Sequence, residues 1–258
     1  MRISYNNFID ALASTAISAS SEDSSYPIEY TQDQRLTTQW HSADATTHTV
    51  IFDLGATTAC SIFAIMAHNL STGGTVVVNG NDVITEVSSV MTWITSDQSS
   101  TQTITYNQDM MLLFVTPISN RYWQFTFDAQ TQNGIEIGRL WIGDYIDISP
   151  SSLDDFTVTK KRDDIVVYGK NRQKYASIGN TWRQIELTFP RTKPSSLSAI
   201  YTFYDTVGKH SSFIFANFDT LRGYELVEPM YCSIADDVGF SHARNQFYTY
   251  SLTLEEDR

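Results

Sequence analysis

The sequence predicts an all-β, mainly antiparallel protein, with an N-terminal β-sandwich followed by a C-terminal β-rich domain that holds one α-helix. Composition is the first indication, because 14 Tyr and 14 Phe in 258 residues with only 18% charged residues favour strands. Short apolar runs bounded by turn-forming residues are the second. The third is that these runs follow one another with a single helical pattern among them, which is typical of antiparallel sheets.

The strands of the first part start in the stretch HTVIFDLGATTACSIFAIMAHNL, residues 48–70. Its second half is apolar on both faces, so we expect it to be covered on both sides. Further along, Trp123, Phe125 and Phe127 alternate with polar residues, as in a half-buried strand. The segment 82–94 is ambiguous between helix and strand.

The second part contains the helix, which we predict over residues 195–207. Ser195 or Ser196 can cap its start, and Gly208 suits the left-handed position after its end. The residues at helical spacing, which we expect on its buried face, are Leu197, Ile200, Tyr201, Tyr204 and Val207. Pro150, followed by Ser and Asp, interrupts the strand pattern, so the expected domains are 1–149 and 150–258.

The charge is divided unevenly along the chain. Residues 1–150 hold four basic and 15 acidic residues, a net charge of −11, whereas residues 151–258 hold 13 and 14, a net charge of −1. Phosphates would be repelled by the first part, so a nucleic-acid partner is not expected. Membrane insertion is not expected either, because no run approaches the roughly 18 apolar residues of a span.

The sequence lacks the motifs of common enzymes, and we expect no enzyme and no catalytic residue. No His-Glu-x-x-His, Gly-x-Ser-x-Gly, Cys-x-x-Cys, P-loop or Gly-x-Gly-x-x-Gly occurs. Cys60 and Cys232 stand far apart in apolar contexts and are expected to be buried free thiols. The absence of an apolar leader segment suggests synthesis and folding in a cytoplasm.

A basic cluster in the second part has two interpretations. Its members are Lys160, Lys161, Arg162, Lys170, Arg172 and Lys174. It is either a solvated hairpin face or a surface that docks an acidic partner, for which the acidic first domain of a neighbouring copy is the obvious candidate.

Several segments in order resemble a discoidin-like (galactose-binding-like) module. They are an acidic turn before Thr38-Gln39-Trp40, the strand Asp53-Leu54-Gly55, His68-Asn69 after a hydrophobic strand, Arg121-Tyr122, and Glu136-Ile137. The resemblance covers roughly residues 20–145 and implies a β-sandwich of the jelly-roll type. It also implies that Asp53 hydrogen-bonds loop amides or pairs with an arginine, and that Trp40 belongs to the core.

The same resemblance implies two kinds of binding site. A calcium ion would be held by Asp33, Thr38 and Glu136, although Gln34 replaces the glycine that usually follows the acidic turn. A glycan site at one end of the sandwich would draw on His41, Asn69 and Trp93.

The variant YWQFTF…IEIGRLWIGDY is similar to modules in tail proteins of tailed bacteriophages, and the second part more loosely resembles distal-tail and tail-tip proteins. This resemblance implies a structural subunit of a virion tail, a homo-oligomeric ring or hub that contacts other tail proteins, made in a bacterial cytoplasm. The alternative is a carbohydrate-binding module or adhesin that recognises a host-surface glycan, and the two functions are compatible.

Overall fold

The computed structural model consists of two compact units of β structure, Ser4–Ile146 and Met1–Ile3 with Asp147–Arg258. The residues that the structure describes are 1–70, 75–83, 88–94, 104–106, 110–128, 134–148, 156–168, 170–219, 224–242 and 247–257. No helix within these ranges has both the length and the apolar character needed to cross a membrane.

Strands dominate both units. In chain order they are β1 (Arg2–Ser4), β2 (Ile17–Ala19), β3 (Trp40–His41), β4 (His48–His68), β5 (Thr75–Asn81), β6 (Ser88–Ile94), β7 (Ile104–Tyr106), β8 (Met110–Phe127), β9 (Glu136–Gly143), β10 (Ile146–Asp147), β11 (Phe156–Arg162), β12 (Ile165–Tyr168), β13 (Lys174–Ser177), β14 (Thr181–Thr192), β15 (Phe213–Asp219), β16 (Tyr224–Ile234), β17 (Phe240–His242) and β18 (Tyr248–Glu256). The one α-helix among the described residues, α1, spans Pro194–Val207, and 3-10 turns lie at Ser14–Ala16 and Ile28–Gln32.

The N-terminal unit is an antiparallel sheet folded over on itself into a sandwich. Its strand order is β3-β9-β4-β8-β5-β6, with β2 added to β4 and β7 added to β8. The long strands β4 and β8 change register between Asp53 and Thr58, where the sheet can bend from one layer to the other. Phe63 pairs in register with Leu113, yet its ring lies 4.7 Å from that of Trp123 on the other half of β8. The two halves of the strands therefore face each other across the core.

The core of this unit follows the predicted strand patterns. Trp123, Phe125 and Phe127 are buried while the residues between them are partly exposed. Residues 60–66 of β4 are buried without alternation, as expected for a strand covered on both faces. Trp40 is fully buried, which confirms its predicted core position. The ambiguous segment 82–94 contains a strand, β6, rather than a helix over its described residues.

The C-terminal unit is built on one sheet with the order β10-β1-β15-β16-β18-β14-β11, and β17 adds to β18. The chain start belongs to this sheet, a pairing that no feature of the sequence indicated. The predicted boundary at 149/150 lies outside the described residues, and the compact units divide between Ile146 and Asp147. β12 and β13 form a separate two-stranded sheet.

Helix α1 confirms the predicted element but corrects two details. Its buried side chains are Leu197, Ile200, Phe203 and Val207, spaced by three or four residues. Phe203, which packs edge-on against Phe213 at 5.0 Å, replaces Tyr201 in the core, and Tyr201 is exposed. The helix begins at Pro194, whose ring fixes a helical φ, and Lys193 at the N-cap makes no side-chain hydrogen bond, so neither Ser195 nor Ser196 is the cap. It ends as predicted at Gly208, where φ is +55°.

Candidate functional site

A pair of stacked rings lies on the surface of the sandwich, where β3 meets the turn Asp23–Tyr26. The backbone N–H of His41 donates to the carbonyl of Tyr26 at 3.2 Å, and that of Asp23 donates to the carbonyl of His41 at 2.9 Å. These backbone bonds place the rings of Tyr26 and His41 in a parallel stack, with centroids 3.9 Å apart and planes 10° from parallel. Tyr26 stays 42% exposed. Because β3 alternates, Trp40 enters the core while His41 faces outward.

Glu136, the first residue of β9, lies beside this stack, and Asn69, which directly follows β4, is hydrogen-bonded to Glu136. His41 pairs in register with Glu136, so their side chains share a face of the sheet. Asn69 connects to Glu136 by two bonds: its backbone N–H donates to the Glu136 carbonyl at 3.2 Å, and its Oδ1 accepts from the Glu136 N–H at 2.9 Å. Its Nδ2 donates to Gly134 at 2.9 Å. We call Tyr26, His41 and Glu136 the ring patch, with Asn69 as the residue that positions its edge.

The structure thus brings together two of the three predicted glycan residues. His41 lies in the ring patch, and Asn69 adjoins it with its amide already used for backbone contacts. Trp93 lies in β6, but its side chain is outside the described part of the structure. The glycan role of all three stays a prediction. Tyr26 was missed from sequence, because it is separated from His41 by a polar loop that carries no periodic signal.

The chemistry of the ring patch suits a hydroxylated ligand. An aromatic face that remains open to solvent can stack on the C–H face of a pyranose ring. The imidazole of His41 can donate or accept, and the Glu136 carboxylate accepts hydrogen bonds from hydroxyl groups.

Asp53 confirms the role that the family resemblance implied. Its Oδ1 accepts from Arg121 Nε at 2.7 Å and from the Gly55 N–H at 2.8 Å, and its Oδ2 accepts from Arg121 Nη2 at 2.8 Å. The hydrogen bond from Arg121 is the main reason that the pKa of the Asp53 carboxyl lies below its usual value, and the bond from the Gly55 N–H lowers it further. Asp53 is therefore a structural carboxylate that ties β4 to β8.

A trio of Ser20, His48 and Asp44 has the residue types of a hydrolytic triad. His48 is buried and its Nδ1 lies 3.3 Å from Ser20 Oγ, while its Nε2 lies 3.0 Å from Asp44 Oδ1. Ser20 Oγ also accepts a hydrogen bond from the Thr49 N–H at 2.9 Å, which holds the Ser20 side chain against β4. These contacts tie the loops of Ser20 and Asp44 to the start of β4. No short motif could have revealed it, since Ser20 is 28 residues from His48.

The residues of the predicted calcium site do not fit a metal as they stand. Both oxygens of Asp33 accept hydrogen bonds from Arg35, at 2.7 to 3.2 Å. A second guanidinium lies beside the same turn, because Arg139, which is buried, donates from Nη1 to the Gln32 carbonyl at 2.8 Å. The described residues contain no group of three or more His, Cys, Asp or Glu side chains that could hold a metal ion. Calcium binding by Asp33, Thr38 and Glu136 stays a prediction. The positive charges of Arg35 and Arg139 beside this turn disfavour a cation there.

The basic cluster is divided between two elements, and all its members are exposed. Lys160, Lys161 and Arg162 lie on β11, the last strand of the C-terminal sheet. Arg162 pairs with Asp164 at 2.7 Å. Lys170, Arg172 and Lys174 lie in the connection and second strand of the β12–β13 hairpin. Its docking role stays a prediction.

Both cysteines are free and buried, as predicted. Burial raises the pKa of the Cys60 thiol to about 12 and that of Cys232 well above its ordinary value. A reactive nucleophile at either position is not favoured.

No protein-family profile matches the chain, and no curated protein matches it. Among solved structures, the chain is similar to the family 32 carbohydrate-binding module of AlyQ in complex with 4,5-unsaturated mannuronic acid, at 19% identity, covering 54% of this chain and 96% of that one, with a TM-score of 0.40. It is similar to the family 32 module of C. perfringens NanJ in complex with galactose, at 18% identity, 57% and 100% coverage and a TM-score of 0.42.

A third similar structure is chitosan-binding module 1 of a chitosanase/glucanase from Paenibacillus sp. IK-5, at 16% identity, covering 54% of this chain and all of that module, with a TM-score of 0.42. The strand order and pairing of the chain itself define its class, an antiparallel β protein whose N-terminal unit is a sandwich.

Proposed function

We propose that the N-terminal unit is a non-catalytic module that binds carbohydrate at the ring patch. The observation that carries this proposal is the Tyr26–His41 stack, an ordered aromatic pair held at 3.9 Å by backbone bonds while Tyr26 remains 42% exposed. A buried core would use such a pair to exclude water, whereas an exposed one offers a face to a ligand. The discoidin-like sequence pattern of residues 20–145 supports the same conclusion.

The charge of the unit limits the ligand class. Ser4–Ile146 contains three arginines and no lysine. Each arginine is already paired with a carboxylate: Arg35 with Asp33, Arg121 with Asp53, and Arg139 with Asp10. Since no lysine or unpaired arginine is left to neutralise a sugar carboxylate, the ligand we propose is a neutral glycan rather than a sialylated or uronic one.

A glycan array followed by calorimetry on the full chain tests this proposal. Tyr26→Ala should weaken binding of the best neutral glycan by about tenfold or more, because stacking on an aromatic ring supplies a large part of such affinities. Tyr201→Ala is the matched control, since Tyr201 is equally exposed at 42% but lies in helix α1. Equal losses in both variants would count against the ring patch, and selection of acidic sugars by the array would count against a neutral ligand.

A structural role in a bacteriophage tail is the second candidate, for the chain as a whole. The sequence resemblance to tail proteins suggests it, and the exposed β12–β13 hairpin favours it, because a subunit of a ring needs surfaces for its neighbours. In this proposal the N-terminal unit contacts host glycan while the C-terminal unit joins other tail proteins. Negative-stain electron microscopy of the concentrated chain should show closed rings of one diameter; single particles at every concentration would oppose self-assembly into a ring.

A further inference from the structure

The β12–β13 hairpin is uncovered on both faces, with Val166 and Tyr168 exposed on one and a larger apolar group on the other. Ile165 and Val167 alternate onto one side of β12, and Val167 pairs in register with Tyr175 of β13. These three side chains are 65%, 57% and 58% exposed. Scattered apolar residues are ordinary on a surface, but a continuous apolar face on a projecting element indicates an interaction site.

The hairpin also needs support that the described part of its own unit does not supply. It is a sheet of two strands, and no third strand among the described residues pairs with it. Isolated hairpins of this kind are marginally stable in water. Its base is nevertheless defined, since Gly179 N–H donates to Asp164 Oδ1 at 2.8 Å and Asp163 N–H donates to the Asn180 carbonyl at 3.3 Å. An anchored base with an uncovered face is the form expected of an element that is completed on binding.

The charge of the hairpin identifies the kind of surface that would complete it. The segment 165–180 contains Lys170, Arg172 and Lys174 and no acidic residue. The nearest carboxylate in sequence, Asp164, is already paired with Arg162. A partner for this face should therefore combine apolar area with an excess of carboxylates.

The N-terminal unit of this chain has that excess. Ser4–Ile146 carries fourteen carboxylates against three arginines, a net charge of −11, and all three arginines are paired within the unit. We propose that the hairpin of one copy docks on the N-terminal unit of a second copy, burying the Ile165–Val167–Tyr175 face. Lys170 and Arg172 of the connection then pair with carboxylates at the edge of that face, and Lys174, which is paired with Tyr168 on the opposite face, adds to the positive charge of the hairpin. This contact is independent of carbohydrate binding, and it would hold equally in a closed dimer or in a ring.

Sedimentation equilibrium of the full chain at low and high salt tests the proposal. We expect concentration-dependent association that weakens as salt rises, because the contact includes solvent-accessible charges. Lys170→Glu with Lys174→Glu should raise the dissociation constant by about tenfold or more at low salt. Lys193→Glu with Lys209→Glu makes the same change in net charge at the two ends of helix α1 and should leave the dissociation constant within about twofold.

Carbodiimide cross-linking of a mixture of isotopically labelled and unlabelled chains gives a second measurement that does not depend on any variant folding. Mixed-isotope links from Lys170 or Lys174 to carboxylates of residues 4–146 would support the contact. A monomer at every concentration, links only within one chain, or equal effects of the two double variants would overturn it. Association into dimers without closed oligomeric rings would support this contact and would contradict the proposed role as a subunit of a tail ring.

Discussion

At the scale of single residues, buried polar groups decide how the N-terminal unit responds to acid. His68 closes β4 and is buried at the end of the strand. Burial lowers its pKa from 6.5 to about 4, since the charged imidazolium would lose its hydration there. The neutral imidazole is thus the form that the folded unit accommodates.

We therefore expect an acid-sensitive contribution to stability from His68. Because the unfolded chain takes up the proton near pH 6.5 and the folded unit only near pH 4, stability falls as pH drops through this window and is complete above it. The loss attributable to this residue is about 3 kcal/mol at most. Chemical denaturation across the window should show a shallower pH slope for His68→Gln than for the parent chain. Parallel curves for the two proteins would contradict the assignment.

Residue-scale features differ in how far the sequence predicted them. Asp53 interrupts an apolar run, which is a local signal, and the family pattern implied an arginine or loop amides as its partner, whereas the structure identifies the arginine as Arg121. The Tyr26–His41 stack and the Ser20–His48–Asp44 trio depend on loops that return to the same strand end. Loop paths are set by tertiary contacts and leave no periodicity, so these groups could be found only in the structure.

At the scale of elements, close backbone approach fixes how the Leu36 turn lies against β9. A Cβ placed on Gly138 would meet the Leu36 carbonyl oxygen at 2.5 Å and the Ala67 Cβ at 2.8 Å. Backbone and a buried strand cannot retreat as a flexible side chain could. Because Gly138 has no side chain, the turn that carries Asp33 and Leu36 can lie directly against β9.

The corresponding prediction is that Gly138→Ala destabilises the chain by about 1–3 kcal/mol. This reverses the usual sign, since alanine ordinarily stabilises an unstrained site by restricting the unfolded chain. Gly239→Ala is the control, because no atom lies within 4 Å of a Cβ built there. Calorimetric melting of the two variants should separate them clearly, and a Gly138→Ala protein as stable as the control would show that the turn can move.

Strands with regular alternation were predictable as elements, and helix α1 was predictable to within one residue at its start. The pairing of β1 with the C-terminal sheet was not. A three-residue strand has too few positions for a pattern, and its partner β15 lies about two hundred residues away in the chain. Long-range pairing of short strands is decided by the completed sheet.

At the scale of the whole molecule, the two units differ in electrostatic self-energy. The net charge of −11 on Ser4–Ile146 is not compensated within that unit, whereas the other unit is nearly neutral at −1. Like charges on one compact body repel and oppose folding, and salt screens this repulsion.

Moderate salt should accordingly raise the melting temperature of the N-terminal unit by a few degrees, while the same salt weakens association between copies. Calorimetry on dilute protein isolates the first effect, and sedimentation isolates the second. The Arg139–Asp10 pair, in which the arginine is buried, should be little affected by screening. A melting temperature that falls with salt would mean that surface ion pairs outweigh the net repulsion.

The uneven distribution of lysine has a practical consequence for chemical labelling. All six lysines lie between Lys160 and Lys209, so the ring patch and the whole of residues 4–146 have no side-chain amine. Dyes, biotin or a sensor surface attached through lysine would therefore modify only the C-terminal unit and leave the sandwich unmodified. Attachment through Lys170 or Lys174 would in turn block the hairpin, so the same reagent at rising stoichiometry can abolish association while sugar binding continues.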